Sequence, residues 1–289
     1  MALHLCEKLP PHNCWVEAFC GSAAVTLRKE PAPIEVINDI DSEIINFFEQ
    51  LRTNSEKLCE QIRFTPYSEE ELSKARIKKN GLDNLEKARR FLVQSMMAIN
   101  GIFGEQKGGF SYSDSYVRGS KEARVSRWNN LPERLDAVVE RLRSIRIENK
   151  DARRVLKRYI YRPATLVYLD PPYYADRTNG YRKDANNKEF HAELLELANL
   201  AHCMIFISGY DNELYNAELT TQRGWTSKRI KASTKDASGK VHEREEVIWM
   251  NKYFSKALES NELPIVLTKR EIALNKLNPI RKNDSKRTE

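Results

Sequence analysis

Ala164-Thr165-Leu166-Val167-Tyr168-Leu169 runs directly into Asp170-Pro171-Pro172-Tyr173-Tyr174, and this stretch decides the fold. Its first six residues are almost continuously apolar, as in a strand buried on both faces of a parallel sheet. Two prolines then end it. Each fixes φ and lacks an N–H, and the residue before a proline is pushed away from helix. Asp170 is therefore expected at the carboxyl end of a buried strand, where open α/β sheets bind their ligands.

The same grammar recurs on either side. Cys14 to Phe19 is short and apolar-aromatic, Gly21-Ser22 breaks it, and Ala23 to Arg28 resumes with helix formers. Ile34 to Ile37 is a second apolar run ending in Asn38-Asp39. Ser42 is placed to cap a helix reaching about Arg52, with Ile44, Ile45, Phe48 and Leu51 on one face. Strand-helix-strand-helix at this spacing predicts the opening of a parallel α/β sheet.

Further along, Leu85 to Ile99 has helical spacing, and Gly101 to Gly119 is a Gly, Ser and Tyr-rich stretch expected to form a long irregular loop. A helix over Pro132 to Arg143 leads to a strand at Ile145 to Ile147 and a helix ending at Tyr159. After the Asp-Pro-Pro segment come a helix over His191 to Leu200 and a buried strand over Cys203 to Ser208. Trp225 to Ser233 and Val241 to Met250 alternate as a hairpin. The division expected is a catalytic domain over 1–52 and 125–252, a mainly helical insert over 53–124, and a basic tail over 253–289.

The 289 residues carry 48 Lys/Arg against 41 Asp/Glu, a net charge of +7. Residues 118 to 162 alone hold fourteen Lys/Arg against six Asp/Glu, so this stretch contains the whole excess. A localised basic segment is the footprint of a nucleic-acid binder, although a solvated helix face would look the same. Arg118, Lys121, Arg124 and Arg127 recur every three residues and would share a helix face turned to phosphates. Lys228 and Arg229 in the later hairpin form a second candidate phosphate surface. No apolar run approaches the ~20 residues that span a bilayer. The first twelve residues do not read as a secretory signal. A soluble, cytoplasmic protein without a membrane partner is expected. The five cysteines include no C-x-x-C pair, so free thiols and no metal site are expected.

Asp170-Pro171-Pro172-Tyr173 suits a bound ring amine. The lone pair of such a nitrogen is delocalised. A carboxylate, with a backbone carbonyl held outward by the Pro-Pro bend, can accept both amino hydrogens and draw the nitrogen toward tetrahedral geometry. Tyr173 offers a flat face for a base. Val16 to Ala24 carries one glycine, Gly21, where backbone can approach a ligand closely. It is not the G-x-G-x-x-G of a dinucleotide site. Asp39, eighteen residues after Gly21, is placed either to accept ribose hydroxyls or simply to favour a helix N-terminus. Asp151 at the next strand end reads equally as a ligand to a cofactor ring and as a helix cap.

Taken in order, VEAFCGSAA, EVINDID, IENKDA, YLDPPYY, ISGYDNELY and EEVIWMN span residues 16 to 251. With these pieces the chain resembles the Dam-like family of DNA adenine-N6 methyltransferases, particularly its phage and prophage members. The resemblance implies a Rossmann-like fold with a mixed sheet of about seven strands, S-adenosylmethionine as methyl donor, and double-stranded DNA as partner. It implies that Phe19, Gly21 and Asp39 line the cofactor site, with Glu17 and Asp151 beside them, and that Asp170 meets both the target amine and the cofactor's methionine end. The insert becomes the candidate for reading the DNA sequence. A monomer and an associated restriction endonuclease are further expectations.

Two departures stand out. Ala18 occupies a position usually held by Pro. Met1 to Lys8 lacks the family's Lys-bearing, glycine-rich opening, so the N-terminal side of the cofactor pocket is expected to be short. The alternatives are another amino acceptor, such as cytosine N4 or adenine in RNA, and a DNA-binding remnant with weak or lost cofactor binding.

Overall fold

Val16, Val36, Val167 and Ile205 are completely buried, and each belongs to a different strand of one sheet. The computed structural model describes residues 5–6, 8–99, 101, 108–113, 117–118, 121–172, 188–235 and 241–265. For residues 118, 121, 231–235 and 241–244 it describes backbone alone. Among these residues, β1 (Cys14–Glu17), β2 (Ile34–Asn38), β5 (Ile145–Glu148), β6 (Thr165–Leu169), β7 (Met204–Tyr210), β8 (Trp225–Lys235) and β9 (Val241–Asn251) form a seven-stranded sheet. Its order is β5-β2-β1-β6-β7-β9-β8. The strands run parallel except β9, which is antiparallel to both neighbours. The sheet is mixed, seven-stranded and Rossmann-like in its order.

The strand chemistry explains the layers. β6 is buried at all five positions, as its apolar run requires. Successive side chains point to opposite faces. Val16, Val167 and Ile205 meet α8 (Ala152–Tyr159) and α9 (Lys188–Asn199) on one face. Trp15, Leu166, Tyr168 and Phe206 meet α1 (Ala24–Arg28) and α11 (Lys252–Ser260) on the other. The chain builds β1, β2 and β5 outward in one direction, then returns to lay β6 and β7 on the far side of β1. The switch point falls between β1 and β6, where such sheets open a ligand crevice.

The segment between β2 and β5 does not stand apart from the sheet. It comprises α2 (Ser42–Thr53), α3 (Ser55–Arg63), α4 (Glu69–Arg76), α5 (Asn84–Met97), a short two-stranded pair, α6 (Ala123–Asn129) and α7 (Leu131–Leu142). Leu58, Ile62, Val93, Trp128 and Leu135 share one apolar cluster with Ile37 and Ile145 of the sheet. The indole of Trp128 donates to the Thr65 carbonyl at 2.8 Å, which ties α6 to the end of α3.

Three local expectations change. Asp41, not Ser42, caps α2, and its carboxylate accepts from the Glu43 amide at 2.9 Å. The tail does not begin as a tail, because Lys252–Ser260 form α11 with Phe254 and Ala257 buried. Arg118, Lys121, Arg124 and Arg127 do not lie on one helix. β3 (Val117–Arg118) pairs antiparallel with β4 (Lys121–Glu122), and only Arg124 and Arg127 fall in α6. Glycine and serine at 119 and 120 have low helix propensity, which disfavours one continuous helix through this stretch. No helix among the described residues is long and apolar enough to cross a membrane.

Asn251 joins the reversed strand to the core. Its Oδ1 accepts from the amides of Ile205 (3.1 Å) and Phe254 (3.0 Å), and its Nδ2 donates to the Cys203 carbonyl at 2.9 Å. It is both the cap of α11 and a buried clamp between β9 and β7. Asn251→Ala strips three buried backbone groups of partners and removes the cap. It is expected to lower unfolding stability by about 2–4 kcal/mol, measured by urea denaturation.

Candidate active site

The carboxyl ends of β1, β2 and β5 are tied by one buried amide. Asn38 Nδ2 donates to the carbonyls of Ala18 and Lys150, both at 2.9 Å, and its Oδ1 accepts from the Lys150 amide at 2.9 Å. Asn149 Nδ2 donates to the Asp39 carbonyl at 2.8 Å. Three strand ends of distant sequence thus form one rim. The signal for Asn38 was available in the sequence: a polar residue closing an apolar strand needs buried partners.

On this rim Gly21 and Asp39 meet directly. The Gly21 amide donates to Asp39 Oδ2 and the Asp41 amide to Oδ1, each at 2.9 Å. Burial raises the Asp39 pKa against the pull of these amides. Gly21 has φ +46°, and a Cβ built there would meet nothing within 4 Å, so the turn faces open space. Ala23, before α1, also has a positive φ of 52°. That conformation costs a non-glycine residue roughly 1–2 kcal/mol, and such outliers gather at ligand sites.

Phe19 packs edge-on against Phe190 of α9, with ring centroids 6.2 Å apart. The Arg153 guanidinium lies 4.8 Å from the Phe190 ring centroid. Asp151 caps α8 by accepting from the Arg153 amide at 2.8 Å, and it is also paired with the Arg153 guanidinium, which holds its pKa low. Both readings of Asp151 therefore start from a residue already engaged.

Asp170 follows β6 across the switch point from this rim, and Pro171 and Pro172 after it are buried. Ser208 Oγ donates to Asp170 Oδ1 at 2.7 Å, and the Tyr168 hydroxyl lies 2.9 Å from Ser208 Oγ. Burial pushes the Asp170 pKa up to about 6, with Ser208 and Tyr168 acting in the opposite direction. Glu17, on the same sheet face, accepts from the Thr26 amide at 3.0 Å and from the Thr26 hydroxyl. Burial raises its pKa to about 8. Tyr173 lies outside the described residues.

Beside the Gly21 turn is a cavity of about 470 Å³, lined by Gly21, Ile44, Phe47, Phe91, Arg124 and Arg127 among others. It lies between the Gly21 turn and helices α2, α5 and α6. Both arginines are exposed and make no ion pair among the described residues. Much of the remaining basic stretch serves the scaffold. Arg141 binds Glu35, while Arg146, Lys150 and Arg158 converge on Glu148, whose pKa falls to about 2, chiefly through Arg158. Arg229 is paired with Asp211 at 2.5 Å and Glu245 at 2.7 Å, while Lys228 is exposed on the opposite face of β8.

A family model described as D12 class N6 adenine-specific DNA methyltransferase matches residues 1–268. The chain belongs to this family. It is an N6-adenine-specific DNA methyltransferase that uses S-adenosylmethionine. No curated protein matches it.

For a D12 methyltransferase, the residues present fit the cofactor. Asp39 has lone pairs beyond those taken by the two amides, since a carboxylate can accept about four hydrogen bonds. The space in front of Gly21 is open, and the acidic groups at the strand ends suit a sulfonium cation. Among the described residues no cluster of His, Cys, Asp or Glu is arranged to hold a metal. The residues that sequence reasoning missed are Asn38, Thr26, Tyr168, Ser208 and Phe190. Thr26 bonds Glu17 nine residues away, while the others meet partners twenty or more positions along the chain, and none forms a recognisable local motif.

An acid whose folded pKa is raised keeps its proton on folding. Glu17 thus leaves stability intact below its ordinary value near 4.5 and erodes it as pH rises toward 8. Glu17→Gln is expected to flatten this decline, gaining on the order of a few kcal/mol over wild type at pH 8. Thermal denaturation followed from pH 5 to 8 checks the sign. A variant that loses stability at pH 8 would count against the neutral, buried carboxyl.

Proposed function

We propose that this methyltransferase acts on an adenine flipped out of double-stranded DNA, with Asp170 receiving the target amine. The observation that carries the reading is the position of Asp170, directly after the buried strand β6. That strand pairs with β1 so that Glu17 lies opposite Tyr168, and the Gly21–Asp39 contact stands across the switch point. A catalytic carboxylate and a cofactor turn on adjacent parallel strands bring donor and acceptor together by topology alone.

In this reading Asp39 accepts the ribose hydroxyls of S-adenosylmethionine, Gly21 lets the backbone approach it, and Phe19 and Asp151 flank its adenine ring. Glu17, largely protonated at neutral pH, shapes that side of the pocket. When bound, S-adenosylmethionine supplies an electrophilic methyl group on sulfur. Asp170 and an outward backbone carbonyl of the Pro171-Pro172 bend accept the hydrogens of the target amine. They raise the nitrogen's electron density as it attacks in line. The Asp170 carboxylate, with a pKa near neutrality, is then suited to take the proton that the nitrogen must shed. Tyr173 stacks on the extruded base. Flipping is required because the amine is otherwise engaged in its base pair.

The insert over residues 53–124 is proposed to read the DNA sequence. Arg124 and Arg127 at the cavity mouth, with Arg118 and Lys121 of the hairpin, would face phosphates. Lys228 and Arg229 would form a more distant contact. A cytoplasmic location, a prophage setting, an associated restriction endonuclease and a monomeric state accompany this reading through family resemblance alone.

Asp170→Ala is expected to lower methyl transfer by about 10²–10³-fold or more while circular dichroism shows the fold retained. Transfer of labelled methyl groups to DNA, followed by nucleoside analysis, measures the rate and the acceptor base. Normal turnover by the folded variant would remove Asp170 from the mechanism. Replacing Arg124 and Arg127 together by Gln should weaken DNA binding across sequences. It should also flatten the slope of log affinity against log salt by roughly 2, as read by fluorescence anisotropy at several salt concentrations.

A further inference from the structure

Asp170 is held from one side by two hydroxyls that belong to the scaffold rather than to any ligand. Tyr168 and Ser208 project from adjacent strands onto the same face of the sheet as Asp170, because β6 and β7 pair with Tyr168 opposite Phe206. The Tyr168 ring is fixed between two others. It stacks on Phe206 with centroids 4.6 Å apart and on Trp15 at 6.2 Å. Its hydroxyl therefore has little freedom, and it lies 2.9 Å from Ser208 Oγ. Ser208 is 1 % exposed and donates to Asp170 Oδ1 at 2.7 Å.

The groups that bear on Asp170 from the elements around it are Glu17 of β1, Tyr168 of β6, Ser208 of β7, Tyr215 of α10 (Glu213–Glu218) and Glu246 of β9. Glu17 and Glu246 are acids, and charge on either opposes charge on Asp170. Tyr215 is a buried phenol. Within this set, only the Ser208 and Tyr168 hydroxyls stabilise the ionised carboxylate.

We propose that Ser208, backed by Tyr168, is a positioning residue. It anchors one oxygen of Asp170 to the sheet, so that the carboxylate stays ionised and presents its other edge to the target amine. The inference rests on Asp170 as the group that receives the amine. A charge-assisted hydrogen bond of this kind is directional as well as stabilising. Losing it would both rotate the carboxylate and favour its neutral form. The Tyr168 ring, clamped by Trp15 and Phe206, transmits the rigidity of the core to the reacting group.

The test uses the full-length protein with Ser208→Ala, Ser208→Thr and Tyr168→Phe. Carbon-13 NMR titration of the Asp170 carboxyl, without DNA or cofactor, reads its pKa directly. The pH profile of kcat for DNA methylation reads the consequence. For Ser208→Ala the titration and the acid limb of kcat should both move up by about one pH unit. The value of kcat at neutral pH should fall about tenfold, with KM for DNA little changed. Ser208→Thr should restore both readings, and Tyr168→Phe should shift them in the same direction by less. If Ser208→Ala lowers thermal stability but leaves the titration and the acid limb in place, the positioning role is overturned. If Asp170→Ala itself still methylates DNA normally, the underlying assignment fails, and that result is distinct from an unmoved titration in Ser208→Ala.

Discussion

Everything at the site depends on the pairing of β6 with β1. Cys14 to Glu17 lie in parallel register with Thr165 to Tyr168, although about 150 residues separate them. This pairing sets the Asp-Pro-Pro bend beside the glycine turn. The cost of closing so long a loop grows only slowly with its length. What holds the pairing is burial. Trp15, Val16, Leu166 and Val167 have no measurable exposure, and water competes poorly for ladder hydrogen bonds inside such a layer. The prolines then end β6 at a defined residue, so Asp170 emerges at the crevice and not one position earlier or later.

The same burial that makes the sheet stable makes its acids unusual. Glu17, Asp170 and Glu246 all carry pKa values raised first by desolvation. Two of them are shown to receive protein hydrogen bonds that partly offset this: Glu17 from Thr26, Asp170 from Ser208 and Tyr168. The result is a graded set, with Glu17 near 8 and Asp170 near 6. A neutral acid and an ionisable one thus share a sheet face without two full charges repelling each other. The sharing of one face by these groups is a product of strand alternation across β1, β6, β7 and β9.

The segment between β2 and β5 is built into the packing of the sheet. Its helices complete the core under β2 and β5 and do not form a separate bead. Arg141 crosses from α7 to the buried Glu35 on β2, which Lys29 also binds at 2.8 Å. Several cations that look in sequence like part of a DNA-binding stretch are therefore engaged by acids of the sheet, Arg141 by Glu35 and Arg146, Lys150 and Arg158 by Glu148. Those left at the cavity mouth, Arg124 and Arg127, stand next to the glycine turn.

Much of this was legible in the residue order. The apolar runs at 14–19, 34–37, 164–169 and 203–208 mark four of the parallel strands, because a buried strand must be apolar on both faces. The alternating pair after Trp225 marks the hairpin that closes the sheet. Asp170, Gly21 and Asp39 stood out because each follows a strand, although a plain turn would also account for Gly21 and a helix N-terminus for Asp39. The Asp41 cap and α11 were not distinguished from their neighbours, since capping and docking depend on where a helix begins and what it packs against. The basic stretch was misleading for a related reason: composition counts charges and does not reveal which acid each one faces. Sequence by itself marked most strands of the sheet, the residues at their carboxyl ends and the family. Tertiary structure alone decided that Asn38 bridges three strand ends, that Tyr168 and Ser208 hold Asp170, and that Arg124 and Arg127 stay available. Those facts are contacts between residues tens to more than a hundred positions apart, and they exist only once the sheet has brought them within hydrogen-bonding distance.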